Sequence, residues 1–264
     1  MLIVLVLEIL AQGMLKTLLQ LLMRFPKNLK SGFPLILVCL FLSQSLTAQE
    51  AKTYFWFDEA VGVTNTNLYN GVQYVEQHRN INENHKFFLS RDFISGTLYY
   101  DGQPYFSQLL KYNVFDEVLI VNSKESLFQL INNKVDGFEM GGHRFINVKT
   151  GSNSRVQGFY EVLFENEQIL VLKEHSRYMN ELKDRKFVHY EFKPQNNDYE
   201  IKYKNEYHEI SSRRDVMKIF SAYKKEIRDI YSSGRALRKS NPDEFMIRLF
   251  KEISLLIQKQ HTEI

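Results

Sequence analysis

The sequence is poor in cysteine: its 264 residues contain only Cys39, which lies inside an apolar run near the N-terminus. If that run is removed as a leader, the remaining chain has no thiol. Disulfide bonds, thiol catalysis and cysteine-ligated zinc are then excluded from the mature protein. Its stability therefore has to come from a packed core.

Familiar catalytic motifs are missing as well. The chain has no Gly-x-Ser-x-Gly nucleophile elbow, no phosphate loop ending in Gly-Lys-Ser/Thr and no Gly-x-Gly-x-x-Gly dinucleotide turn. His208-Glu209 begins like a zinc-protease helix, but Ser212 stands where the second histidine is required. The sequence therefore predicts no catalytic, cofactor-binding or metal-binding residue.

The apolar run itself spans residues 33–42. It is about half as long as the ~20 residues that a membrane-spanning helix needs. Basic residues precede it and small residues follow it, which is typical of a secretory signal. The pattern predicts that residues 1–48 are a leader, cleaved between Ala48 and Gln49, and that the protein is exported to the periplasm or associated with the outer membrane. The flanking residues are Arg24, Lys27 and Lys30 before the run, and Ser43, Ser45 and Thr47 after it.

A second apolar stretch, residues 2–23, precedes this signal. The simplest interpretation is an over-extended reading frame, with translation starting at Met14 or Met23. The alternative is a two-segment membrane anchor, which Glu8 and the short second run disfavour. Lipid attachment at Cys39 is disfavoured because Val38, rather than a small residue, stands before it.

The charge of the mature chain is balanced. Four of the 34 basic residues and one of the 31 acidic residues lie in the leader, which leaves 30 of each. The balance is uneven along the chain, since residues 211–239 hold nine basic and three acidic side chains. This excess predicts either the solvated face of a helix or a contact with an anionic membrane surface or an acidic envelope protein. Nucleic acid is not expected as a partner of an exported chain.

From residue 52 to residue 174, short alternating runs broken by turn residues predict antiparallel strands. Asp101-Gly102 is a typical two-residue hairpin turn. The predicted fold class is α+β, with residues 49–175 forming an antiparallel β meander as a curved sheet, a sandwich or an open barrel. The predicted strands cover residues 117–121, 127–131, 138–140, 144–148, 159–164 and 169–172.

Residues 176–264 are predicted to form a β-hairpin and a two-helix tail on the same core. The hairpin spans residues 186–210 with its turn at residues 194–198. Ser212 and Asp215 then form a capping box for a first amphipathic helix, which ends at Gly234. Pro242 lies in the first turn of a second helix.

Two weaker signals concern ligands. His189 and His208 could meet across the predicted hairpin and form a surface metal site, although scattered surface histidines explain the pattern more simply. Of the 20 Phe, three lie in the leader, which leaves 17 Phe with 15 Tyr and one Trp. This excess favours a strand-rich core first and a surface for glycans or lipid chains second.

Several segments carry a resemblance. "LYNGVQYVEQHR", "GTLYYDGQPY", "VLIV", "GGHRF", "GFYEVLF" and "LRKSNPDEF" are similar to segments of a family of uncharacterised secreted proteins of Gram-negative envelopes. The similarity covers nearly the whole mature chain but consists of structural turns. The resemblance implies export and a basic two-helix tail, and it assigns no functional residue.

Three functions are compatible with these features. The leading hypothesis is a non-enzymatic exported envelope protein, a binding or accessory module that meets an anionic surface through its basic helices. The second is an open-barrel carrier of lipid or another hydrophobic ligand. The third is a hydrolase with an unrecognised Asp, Glu or His site, which requires a cleft with a carboxylate of shifted pKa.

Overall fold

The computed structural model describes residue 68 and residues 71–78, 80, 82–123, 126–149, 156–183, 186–195 and 198–262. The predicted leader and its cleavage site at Ala48 and Gln49 lie outside the described residues. The fold class is α+β, as the sequence predicts. An eleven-stranded antiparallel sheet, a separate two-stranded sheet and four C-terminal α-helices make up the described chain.

Short strands joined by tight turns build both sheets. Asp101 and Gly102 form the predicted hairpin turn, with φ values of 54° and 75°. The strands are β1 (Val72–Gln73), β2 (Ile94–Tyr100), β3 (Gln103–Asn113), β4 (Val118–Asn122), β5 (Leu127–Gln129), β6 (Val135–Met140), β7 (His143–Val148), β8 (Gly158–Glu165), β9 (Ile169–Glu174), β10 (Arg177–Lys183), β11 (Val188–Pro194), β12 (Asp198–Tyr203) and β13 (Glu206–Ile210). All six strands predicted between residues 117 and 172 are present.

The large sheet has the order β1-β5-β4-β3-β2-β6-β7-β8-β9-β12-β13. Within the described residues it is not closed into a barrel, but its first half curls strongly. The ring of Tyr112 on β3 lies 5.7 Å from the ring of Phe159 on β8, although three strands separate them. A flat sheet would hold these strands about 19 Å apart at the usual strand spacing. The curl therefore folds one face of the sheet around its own aromatic core.

Packed rings fill this concave face. Phe138 and Phe145 stack with their centroids 4.7 Å apart, and Tyr112 contacts both. All three side chains are at most 1% exposed. The aromatic excess is thus used to fill the interior, and the described part of the concave face is occupied by the protein's own side chains.

The second half of the sheet is covered by helices instead. These are α1 (Arg213–Ile219), α2 (Lys224–Ser233), α3 (Arg235–Ser240) and α4 (Pro242–Thr262). Their apolar stripes pack on Val171 of β9 and Ile201 of β12. None of the described helices is long and apolar enough to cross a membrane.

The first predicted helix of the tail is divided. Ser212 and Asp215 form the predicted capping box, and α1 then ends at Phe220, whose backbone is not helical. Gly234 separates α2 from α3. Any side chain at this position would meet Phe245, because an added Cβ would lie 2.6 Å from its ring. The tail therefore has four helices where the sequence pattern predicts two.

The predicted hairpin of residues 186–210 is wrong in its pairing. β11 pairs with β10, a strand that the sequence pattern did not predict. β12 pairs with β9 on one side and β13 on the other. On the outer face of β12, Glu200 is 9% exposed opposite Leu172, whereas Lys202 is half-buried. This face is therefore only partly exposed.

Candidate functional site

The helices α1, α2 and α3 present a basic surface. All nine basic side chains between residues 211 and 239 are exposed. They are Arg213, Arg214, Lys218, Lys224, Lys225, Arg228, Arg235, Arg238 and Lys239. We call this set the basic helical surface.

Amphipathic packing places these cations outside. Val216, Ile227 and Ile230 are buried against the sheet, and the basic residues occupy the remaining faces of their helices. The capping box fixes where α1 begins, because Ser212 accepts a hydrogen bond from the backbone of Arg214 and Asp215 accepts one from the backbone of Ser212. The sequence thus specifies both the helices and the side that carries the charge.

Two helices bring their charges together around Tyr231. Arg213 and Arg238 both line a small cavity of about 130 Å³ beside this tyrosine. The guanidinium carbon of Arg238 lies 5.6 Å from the centre of the Tyr231 ring. Burial raises the pKa of Tyr231 to about 12, against the opposing effect of the two guanidinium groups. The phenol is therefore neutral at physiological pH and does not offset the positive charge.

The basic helical surface has little internal compensation. Within the described residues, none of its nine cations forms an ion pair with a carboxylate. Of the three acids in the same segment, Asp215 is occupied by the capping box. Exposed positive charges without carboxylate partners attract anionic surfaces, and salt screens that attraction.

A buried carboxylate lies elsewhere, where the two halves of the sheet meet. Glu161 on β8 is 6% exposed. Its Oε1 lies 2.5 Å from Nδ1 of His143, and its Oε2 lies 2.6 Å from Nε2 of His175. Burial acts to raise the pKa of Glu161, but hydrogen bonds and charge from the two imidazoles outweigh it and hold the pKa below 4.5. Glu161 is therefore ionised at neutral pH.

Chemically, this arrangement lacks a nucleophile. Each imidazole donates one ring N–H to Glu161, and the edge of the Phe88 ring packs on both. No serine or threonine hydroxyl of the described residues hydrogen-bonds to either imidazole. We therefore interpret the His143-Glu161-His175 cluster as structural: the two imidazoles supply hydrogen bonds to a buried carboxylate.

His189 and His208, which could have formed a metal site across the predicted hairpin, are not cross-strand neighbours. His189 lies opposite Leu182, and His208 lies opposite Ile201, because their strands pair with other partners. The hairpin that would have joined them does not form. Among the residues that the structure describes, no group of three metal-ligating side chains is found.

The features that sequence reasoning missed are those assembled from distant segments. His143, Glu161 and His175 come from β7, β8 and the turn after β9. Gly141 and Gly142 of "GGHRF" form a turn between β6 and β7, with φ values of 58° and 82°. Nothing in that motif indicates that its histidine reaches a glutamate on the next strand. No family model, curated protein or solved structure matches this chain.

Proposed function

We propose that this protein is a non-enzymatic, exported envelope protein that attaches to anionic membrane surfaces through its basic helical surface. One observation carries the proposal: nine exposed cations on three consecutive helices have no carboxylate partner within the described residues. Each Lys or Arg close to an anionic membrane contributes about 1 kcal/mol to binding. Four such contacts give about 4 kcal/mol, enough for reversible peripheral attachment.

Local rather than net charge explains the attraction. With residues 1–48 removed, the chain is neutral, with 30 basic and 30 acidic residues. A neutral chain is attracted to an anionic membrane only when its basic helical surface faces that membrane. In this arrangement the short amphipathic helices face the membrane, and the sheet remains available for a ligand or an envelope protein.

Vesicle binding tests the proposal with two variants of equal charge. One variant replaces Lys224, Lys225, Arg228 and Arg235 by Gln. The control variant also introduces four Gln residues, in place of cations that lie outside the basic helical surface and already have a carboxylate partner. These are Lys134, Arg144, Lys149 and Arg248. Both variants lose four positive charges, so a difference between them reports where the charge lies.

The assay is co-sedimentation with vesicles that contain phosphatidylglycerol. The protein is purified from its natural host, in the form that the host produces. We expect the helix variant to lose about 100-fold or more in binding and the control less than about threefold. Raising the salt concentration should release the wild-type protein. Equal losses in the two variants, or wild-type binding that ignores vesicle charge, would contradict the proposal.

A further inference from the structure

A cleft of about 400 Å³ opens on the outer, convex face of β3 and β4. Lys111 and Ile120 lie opposite each other on these strands and form its floor. Tyr74, Phe93 and Phe192 contribute to its walls. The cleft belongs to neither the basic helical surface nor the concave core, and it is large enough for a small organic ligand.

The walls of the cleft are mainly apolar. Phe87 and Ile120 are buried and form a small cluster with the partly buried Tyr74, Phe93 and Leu127. This cluster lies on the face of the sheet opposite the aromatic core. Apolar walls of this kind bind the hydrocarbon part of a ligand by removing it from water.

One cation of the cleft is already neutralised. Lys86 is 3% exposed, and its Nζ lies 2.8 Å from Oε1 of Glu76 and 3.3 Å from Oδ2 of Asp116. Burial acts to lower the pKa of Lys86, but its contacts with Glu76 and Tyr74 outweigh this effect and raise the pKa. Lys86 therefore holds the segment around residue 76 against the sheet. Because it is already paired with two carboxylates, it contributes little to binding an anionic ligand.

Two other cations of the cleft are not paired in this way, although the more distant charges of Asp92 and Glu76 act on Lys111. Nζ of Lys111 lies 4.3 Å from the ring centre of Phe93 and 4.8 Å from that of Phe87, and it makes no ion pair with a described carboxylate. Burial lowers the pKa of Lys111. Arg91 donates from Nη2 to the neutral amide oxygen of Asn80, and its buried Nε has no hydrogen-bond partner. A buried donor without an acceptor is unfavourable, and an anionic ligand can supply the missing acceptor.

We propose that this cleft binds a small amphiphilic monocarboxylate. The carboxylate pairs with Lys111 and Arg91, and the hydrocarbon chain lies along Phe93, Ile120 and Leu127. Glu76 and Asp116 already pair with Lys86, so Lys111 and Arg91 supply the positive charge that attracts the carboxylate. A neutral alcohol with the same chain lacks the charged contact, and an alkyl ammonium ion is repelled.

Isothermal titration calorimetry at pH 7 tests the inference with octanoate, 1-octanol and octylammonium as probes. We expect octanoate to bind at least about tenfold more tightly than 1-octanol, since a hydrogen bond to a charged group contributes about 1.5–3 kcal/mol. Octylammonium should give no measurable heat. Equal binding of octanoate and 1-octanol, or no octanoate binding at about 1 mM, would overturn the proposal.

Three variants locate the binding. Lys111→Met removes the charge but keeps an apolar stem, and it should weaken octanoate binding about tenfold. Lys111→Arg restores the charge and should recover most of the affinity. Lys202→Met is the matched control, since Lys202 also lies on a strand over a ring, 5.6 Å from the centre of Tyr207, outside the cleft. If Lys111→Met and Lys202→Met bind octanoate equally well, the site is not this cleft. These outcomes are independent of vesicle binding, which uses the helices.

Discussion

Replacing Glu161 by Gln tests whether the His143-Glu161-His175 cluster stabilises the fold. The substitution keeps the shape of the side chain and removes its charge. The carboxylate accepts hydrogen bonds at both oxygens, at 2.5 Å from His143 and 2.6 Å from His175. A glutamine can accept at only one of the two positions, because its other terminal atom is an NH₂ donor.

The expected loss follows from the two contacts. A hydrogen bond to a charged group contributes about 1.5–3 kcal/mol, and the variant also avoids the cost of burying a charge. We therefore expect Glu161→Gln to lower the free energy of unfolding by about 2–3 kcal/mol at pH 7. For a chain of this size, that corresponds to a fall in Tm of about 4–12 °C.

Urea denaturation followed by circular dichroism measures this loss at several pH values. Because the folded-state pKa of Glu161 lies below 4.5, its ionised form stabilises the protein fully above pH 4.5, and the effect disappears as the pH falls through the folded-state pKa. The difference between wild type and variant should therefore shrink in acid. Glu165→Gln is the control, since Glu165 on the same strand pairs with Arg144 at the exposed surface and should change stability by less than about 1 kcal/mol. A loss for Glu161→Gln no larger than the control, or one that grows in acid, would refute the reasoning.

Two further substitutions test the fold by urea denaturation. Lys86→Met should destabilise the protein by about 1–3 kcal/mol at pH 7, because it leaves the half-exposed Glu76 and Asp116 without their cation; since the folded-state pKa of Lys86 is raised, the difference should be present below pH 10.5 and vanish at higher pH. Ser212→Ala should cost about 1 kcal/mol by removing the side-chain acceptor at the start of α1, and an unchanged midpoint would mean that the capping box with Asp215 does not contribute.

Local patterns predicted most of the strands and the start of α1. Alternation over residues 143–148 and 158–165 reflects side chains that point to opposite faces, a property of each strand alone. The capping residues Ser212 and Asp215 act within one helical turn. Such signals can be interpreted without knowing which segments become neighbours in space.

Pairing between distant segments was not predictable in the same way. The alternation of residues 188–192 is equally compatible with pairing to residues 199–203 or to residues 177–183, and the structure has the second arrangement. Nothing in the sequence of β12 shows that Glu200 lies opposite Leu172, which belongs to a cluster with Tyr160 on the neighbouring strands. The choice of partner strand depends on contacts between distant segments and not on the pattern within one strand.

The two candidate sites differ in how far they could be predicted from the sequence, because one lies within a single segment and the other is assembled from several. The basic helical surface could be anticipated, because its nine cations are close together in the sequence. The cleft could not, since Lys111, Arg91 and Leu127 come from separate segments. Within β3, Lys111 is simply one outward-facing residue of an alternating strand, and only the folding of residues 74–93 over it encloses the side chain.

The central claim is tested most directly by fractionating cells of the natural host that express this protein. Envelope membranes are washed with low and then high salt, and the protein is followed by immunoblot together with its N-terminal sequence. The account predicts a chain beginning at Gln49 that sediments with envelope membranes at low salt and is released at high salt. Full-length protein that is freely dissolved in the cytosol, or membrane binding that resists high salt, would contradict it.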